Sequence, residues 1–315
     1  MQDNSDAFQK EARRTVKEVV SELCDPSSYK TVYHHAYMNS PMPSIEILEE
    51  IIGRLRFVIF PGYFGYSEIT PDNMSYSIGA NVEKVLRLLQ VQIMRGFCFV
   101  CPRQDRKKCE ECQELSQGMA RDFVAALPRI RHMLATDVQA AYEGDPAAKD
   151  PGETIYCYPS ITALTNYRIA HELYRLGAEL IPRIITEQAH SKTDIDIHPG
   201  ATINEYFFID HGSGVVIGET CEIGRQVRLY QGVTLGAKSF PKDESGKLIK
   251  GIPRHPVVED NVTIYSGATL LGRITIGKGS IIGGNVWLTS DIDPGSKVVQ
   301  GATAEAKVEL LQHRE

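Results

Sequence analysis

The chain has 315 residues, of which 42% are hydrophobic, and carries a net charge of -6 with a pI near 5.9. That length holds two domains and a sizeable core, and the acidic balance argues against nucleic acid as the main partner. No apolar run approaches the ~18 residues of a membrane span, and Met1 to Asp6 lack the basic-then-apolar layout of a signal peptide. The expected address is therefore cytoplasmic, where the seven cysteines act as thiols, metal ligands or redox groups before structural disulfides.

The first ~190 residues have helical periodicity. Apolar groups recur at three- and four-residue spacing over about 8–24 (Phe8, Val16, Val19, Val20, Leu23) and 44–59 (Ile45, Leu48, Ile51, Ile52, Leu55). A third helix is expected over about 78–94, with Val82, Val85, Leu86, Leu89 and Ile93 on one face. Segments 118–142 and 160–188 continue the pattern, with Pro128 as a candidate interruption of the first. These residues form an all-α helical domain, 1–190, and the period changes near Ser191 to Asp194.

From Ile197 to Leu288 an aliphatic side chain returns every six residues, in the runs Ile197, Ile203, Ile209, then Ile217 to Leu235, then Val258 to Leu288. Neither a helix nor an alternating strand has this spacing. The fourth residue after each aliphatic is usually small or β-branched, as in Cys221, Val227, Val233, Val262, Ala268 and Val286. Glycine directly follows at Gly218, Gly224, Gly236, Gly277 and Gly283, where a tight corner would need a residue free of Cβ strain. This is the pattern of a hexapeptide parallel β-helix, here over 191–290, and a tail of 291–315 follows with a turn at Asp291–Ser296 and helical spacing over Ala304–Leu311. Flat faces of such a coil favour self-association.

The two breaks in the repeat are candidate binding loops, and both contain histidine. One is Ile209-Asp210-His211-Gly212-Ser213-Gly214; the other is the excursion from Gly236 to Gly251 that ends in Pro253-Arg254-His255-Pro256. Upstream stands Asp196-Ile197-His198-Pro199. A neutral histidine backed by a carboxylate can take a proton from a hydroxyl near pH 7.

These motifs, taken in order with Gly214-Val215-Val216-Ile217-Gly218-Glu219-Thr220 and Gly232-Val233-Thr234-Leu235-Gly236, resemble serine O-acetyltransferase. Thr136-Asp137-Val138-Gln139-Ala140 and Gly144-Asp145-Pro146-Ala147 extend the likeness upstream, so that it covers about 137–290. The resemblance implies a left-handed β-helix and direct transfer of acetyl from acetyl-CoA to the hydroxyl of L-serine. His211 would be the general base, Asp196 its orienting carboxylate and His255 an assisting group. Arg254 would meet the serine carboxylate, and Asp145 and Asp210 its ammonium. Gly236, Ala237, Ser266 and Gly284 would line the channel for the pantetheine arm. The family also implies a trimer or a dimer of trimers with the site between subunits. His198 is read as structural.

Several features depart from the family pattern. Lys238 to Lys250 form a longer loop than is usual, with lysines that could meet CoA phosphates or simply be solvated, Ala237 replaces a glycine, and Pro253 stands where an acidic residue is common. The chain ends Leu311-Gln312-His313-Arg314-Glu315, without the terminal isoleucine that docks into cysteine synthase, so that complex and feedback by cysteine are not expected. The helical domain carries Cys98-x-x-Cys101 and Cys109-x-x-Cys112. Four thiolates could hold tetrahedral zinc or an iron–sulfur cluster; a reversible disulfide pair and free thiols on helical turns are the alternatives. For function the alternatives are another hydroxyl acceptor, homoserine or a sugar, or a non-catalytic scaffold. A zinc hydrolyase on the same coil would need a His-x4-His pair that the repeats lack.

Overall fold

The computed structural model describes residues 2–34, 41–65, 69–100 and 106–301. It divides into two compact units, Met1–Ser40 and Pro41–Glu315. The first holds α1 (Gln2–Leu23) and the short α2 (Pro26–Tyr29), whose Asp25 side chain accepts from the Ser27 N–H as an N-cap. The expected helix over Ala304–Leu311 lies outside the described residues.

In the second unit α3 (Ile45–Ile59), α4 (Met74–Val100), α5 (Arg106–Gly144), α6 (Pro151–Cys157), α7 (Pro159–Arg175) and α8 (Ile181–Thr193) precede the coil. Ser44 caps α3 through the Ile47 N–H, and Leu48, Ile51, Ile52 and Leu55 bury its apolar stripe. Pro128 lies inside α5 and does not end it. The expected helix over 160–188 is two helices. Gly177 (φ +85°) closes α7 in a Schellman motif, Ala178 N–H donating to Leu173 O and Gly177 N–H to Tyr174 O, and Pro182 begins the next helix. Among the described residues no helix is long and apolar enough to cross a membrane.

The strands of the coil form three parallel sheets, one per face of a left-handed triangular solenoid. Face A holds β1 (Ile195–Ile197), β4 (Val215–Ile217), β7 (Thr234–Gly236), β10 (Thr269–Leu271) and β13 (Trp287–Leu288). Face B holds β2 (Thr202–Ile203), β5 (Glu222–Ile223), β8 (Val257–Val258) and β11 (Thr275–Ile276). Face C holds β3 (Phe208–Ile209), β6 (Arg228–Leu229), β9 (Thr263–Ile264), β12 (Ile281–Ile282) and β14 (Lys297–Val298). The register stacks the six-residue aliphatics into inward columns: Ile197, Ile217, Leu235, Leu270 and Leu288 on face A, Ile203, Ile223, Val258 and Ile276 on face B. All of these are buried except the partly buried Leu288 at the end of its column, and each fully buried aliphatic contributes about 1.5–3 kcal/mol. The intervening small residues, Cys221, Val227, Val233, Val262 and Ala268 among them, point inward as well.

The corner glycines act differently from the sequence expectation. Gly218, Gly224, Gly236, Gly277 and Gly283 do not have positive φ. They are needed for room: a Cβ on Gly218 would lie 2.1 Å from His255 Cδ2, and one on Gly277 2.4 Å from Pro294 N. The left-handed residues come two positions later, at Gln226, Asn261 and Gly279 on the B–C corner and at Gly267 and Asn285 on the C–A corner.

The helices cover the open first coil. Tyr167 of α7 donates its hydroxyl to Ala201 O and accepts from Ile203 N–H. Arg168 donates to Ile203 O and Asn204 O and pairs with Asp137 of α5, which accepts from Phe207 N–H. The Asp137–Arg168 pair is buried, so removing one partner would cost about 3–5 kcal/mol. These bonds fix where the end of α5 meets face C.

Candidate active site

The candidate site residues fall into two clusters at different corners of the triangle. The first is at the C–A corner of the first coil. The eight-residue step between Ile209 and Ile217 makes an expanded turn in which His211 (φ +57°), Gly212 (φ +96°) and Gly214 (φ +72°) are all left-handed. A Cβ on Gly212 would lie 2.5 Å from Ile195 Cδ1, so only glycine closes the turn. His211 is pushed outward, its side chain 74% exposed, with Nε2 4.0 Å from Asp210 Oδ1.

Asp145 arrives at this corner from the helices. Gly144 ends α5 with no side chain, and a Cβ there would lie 2.6 Å from the Phe208 ring of β3. The Asp145 carboxylate accepts from the Tyr158 hydroxyl (2.5 Å) and the Ala147 N–H (2.8 Å). The Tyr158 bond, then the Ala147 bond, hold its carboxyl below the usual range, and the His211 side chain adds a smaller pull. Asp145 is thus a carboxylate at neutral pH. Burial, the Asp145 bond and the charges of Asp145, Glu153 and Asp210 push the Tyr158 phenol up, so it remains a donor. Tyr158, at the junction of α6 and α7, belongs to no motif, and the sequence offers no signal for its role.

The second cluster lies on the A–B corner. Arg254 Nη2 pairs with Glu219 Oε2 at 2.6 Å. Burial pushes the Glu219 carboxyl up, but the Arg254 bond and the charges of His198 and Arg254 outweigh it, and the carboxyl ends below its usual range. His255 is 6% exposed and its ring packs on Gly218. Its Nδ1 is 3.1 Å from the Thr220 N–H donor and 2.9 Å from Thr220 Oγ1. Burial, then the Arg254 charge, bring its pKa down to about 4, so the ring is neutral at pH 7. His198 accepts the Gly200 N–H at Nδ1 (3.0 Å) and packs edge-on against Tyr174 of α7.

Asp196, on face A of the first coil, sits beside α8: Arg183 Nη1 is 3.9 Å from its Oδ1, and Glu187 and His190 are close enough to share a cation with it. It contributes to the electrostatic surroundings of His198, on the side of the second cluster. Among the described residues no hydrogen bond or ion pair joins Asp196 to His211 within one chain, nor His211 to His255. The residues expected along the pantetheine channel divide in the same way. Gly284 stacks on Ser266 at the C–A corner, where Asn285 N–H donates to Ser266 O (2.9 Å). Gly236 and Ala237 stand at the A–B corner, where Gly218 N–H donates to Leu235 O (3.1 Å).

The 238–250 excursion is an exposed hairpin. Lys242 and Leu248 form an antiparallel bridge, and Asp243 Oδ1 accepts from the Ser245 and Lys247 N–H groups. Of the four-cysteine pattern, Cys98 stands near the end of α4 and Cys112 in α5, whereas Cys101 and the side chain of Cys109 lie outside the described residues.

The bacterial transferase hexapeptide model (six repeats) matches residues 255–290. A plasmid serine acetyltransferase of Synechococcus elongatus is 51% identical over 290 residues, covering 90% of this chain and 89% of its own. The crystal structure of serine acetyltransferase 1 from Entamoeba histolytica in complex with L-cysteine superposes with a TM-score of 0.69 at 36% identity, over 87% of this chain and 94% of that one. Soybean serine acetyltransferase complexed with serine matches with a TM-score of 0.52 at 26% identity, over 83% of this chain and 98% of its own. On its sequence and its fold, this chain belongs to the serine acetyltransferase family.

Proposed function

We propose that the protein is a serine O-acetyltransferase that moves acetyl from acetyl-CoA to the hydroxyl of L-serine, in a site shared by the C–A corner of one copy and the A–B corner of another. The observation that carries the shared site is the separation of His211 at the C–A corner from His255 and Arg254 at the A–B corner by a whole face of the triangle. A homo-oligomer, trimeric or a dimer of trimers, would bring the corners together, as closed symmetric assemblies do.

In this arrangement Asp145 and Asp210 meet the serine ammonium. Arg254 meets the carboxylate as a planar fork whose other partner, Glu219, keeps it aimed. His211 accepts the hydroxyl proton as serine oxygen attacks the thioester carbon, and Asp196 of the neighbouring copy steadies the imidazolium. The C–S bond then breaks, and the proton passes from His211 to the departing CoA thiolate. Ser266 and Gly284 on one copy, with Gly236 and Ala237 on the other, would flank the pantetheine arm. The paired carboxylates and Arg254 favour an amino acid over a sugar. A cytosolic address fits the thiol-bearing chain. The Cys98, Cys101, Cys109 and Cys112 spacing would also hold zinc or an iron–sulfur cluster, which the metal content of the purified protein tests.

Free-thiol release from acetyl-CoA with L-serine, L-homoserine or no acceptor tests the reading, with His211→Ala alongside. Serine-dependent release that the variant lacks is the expected result. Release with homoserine alone would move the acceptor, and no acceptor-dependent release from an intact oligomer would leave a scaffold.

A further inference from the structure

His255 is more than nine-tenths buried, yet one of its nitrogens has no hydrogen-bond partner among the described residues of its own chain. The Thr220 backbone N–H can only donate, so Nδ1, 3.1 Å away, must be the unprotonated nitrogen. The Thr220 hydroxyl oxygen, 2.9 Å from Nδ1, accepts the Arg254 N–H (2.9 Å) and the His255 N–H (3.1 Å), which leaves its own hydrogen to point at Nδ1. In the neutral ring the proton is then on Nε2. Among the described residues no buried side-chain nitrogen or oxygen lacks a hydrogen bond, so the unpartnered Nε2–H reaches the surface of the chain. Gly218 supplies the room in which the ring lies.

We propose that Thr220 is a positioning residue that fixes His255 as the Nε2–H tautomer, so that His255 serves the reaction as a fixed hydrogen-bond donor and never as a second base. The proposal deepens, and rests on, the serine acetyltransferase reading. The charged and titratable groups facing the ring are Arg254, Glu219, His198 and Arg273. Two arginines there oppose protonation, in keeping with a pKa brought down to about 4 by burial and then by Arg254. A ring that stays neutral through turnover leaves the proton traffic to His211, and its Nε2–H is available to an acceptor oxygen on which negative charge grows as the thioester is attacked.

Two measurements on the full-length oligomer test this. The first is the imidazole 15N spectrum of solid, histidine-labelled protein at pH 7, with His255→Gln as assignment control. The expected spectrum has an unprotonated Nδ1 and a protonated Nε2 at His255, retained in Thr220→Ser and also in Thr220→Val, whose backbone N–H still donates to Nδ1. A protonated Nδ1 in the wild type overturns the proposal whether or not the protein acetylates serine. The second is kinetic. His255→Ala should lose about 10²–10³ in kcat, as for removal of one donor to a developing oxyanion. His255→Gln, whose amide N–H can occupy the Nε2 position, should recover part of that loss, while His255→Asn should not. The acidic limb of the pH–rate profile should be unchanged in His255→Gln. Recovery by Asn instead of Gln, or loss of an ionisation from the profile, overturns the donor role. Absence of serine-dependent release in the wild type breaks the functional reading alone, since the spectrum still decides the tautomer.

Discussion

The C–A corner and the A–B corner stand at opposite ends of one face of the same solenoid, but they are built in contrary ways. At the C–A corner His211 projects from an expanded glycine-rich turn with its side chain 74% exposed, and a helical residue, Asp145, is brought to it by Gly144. At the A–B corner His255 is 6% exposed, pressed on Gly218 and bonded through Thr220 to the coil beneath. The first histidine is placed to exchange a proton with what lies outside the chain. The second is placed to keep one. A repeat fold can supply both because each corner repeats along its own ladder, and a single insertion changes one corner without disturbing the others.

The comparison is tested most severely at its exposed end. His211→Ala should lower kcat/KM by about 10²–10⁴, as expected for loss of a general base, with little change in melting temperature, because the side chain buries little. An unchanged rate would remove the chemistry from this corner. At the buried end Gly218→Ala should destabilise the protein by about 1–3 kcal/mol through overpacking against the His255 ring, measured by denaturant titration. The same change at Gly246, whose surroundings are open although its φ is +79°, should be felt only through backbone strain.

The buried ring also has a pH signature. A histidine whose folded pKa is lowered to about 4 contributes stability that is complete above its unfolded value near 6.5 and is lost as pH falls through the folded value. The wild type should therefore lose stability in acid across that window, and His255→Gln should show a shallower slope there; parallel slopes would contradict a neutral buried ring. The smallest effect is expected at Tyr158→Phe, which removes one hydrogen bond from Asp145. A cost of about 1 kcal/mol should appear as a severalfold higher KM for serine with kcat nearly kept.

The six-residue period made the coil legible, since Ile197 to Leu288 and the small residues between them are the inward columns. The corner glycines were legible as positions and misread as to cause: Gly218 is needed because a neighbouring ring occupies the Cβ site, a fact of the folded state that no local pattern carries. Pro128 shows the reverse, a local breaker overridden by the packing of a long helix. The break at Gly177 was missed within the expected helix over 160–188, although the glycine and Pro182 mark it. His211, His255, Arg254 and Asp145 stood out by motif and resemblance, whereas Tyr158 lay in no motif and Thr220, though inside one, was given no role, because each acts on another residue through a contact made only after folding. The long excursion at 238–250 hid the register, and with it the fact that the two histidines lie on different corners.

The shared site is tested most directly by mixing two inactive chains. His211→Ala and His255→Ala, separately tagged, would be co-expressed and the mixed oligomers isolated through both tags. An interface that joins the intact C–A corner of one variant to the intact A–B corner of the other should be active. Every mixed trimer has one such interface in three, which predicts recovery of about a third of the wild-type rate, or about a quarter if two trimers pair at random into the selected oligomer. Mixed oligomers as inactive as either parent would place the site within a single chain and contradict the account.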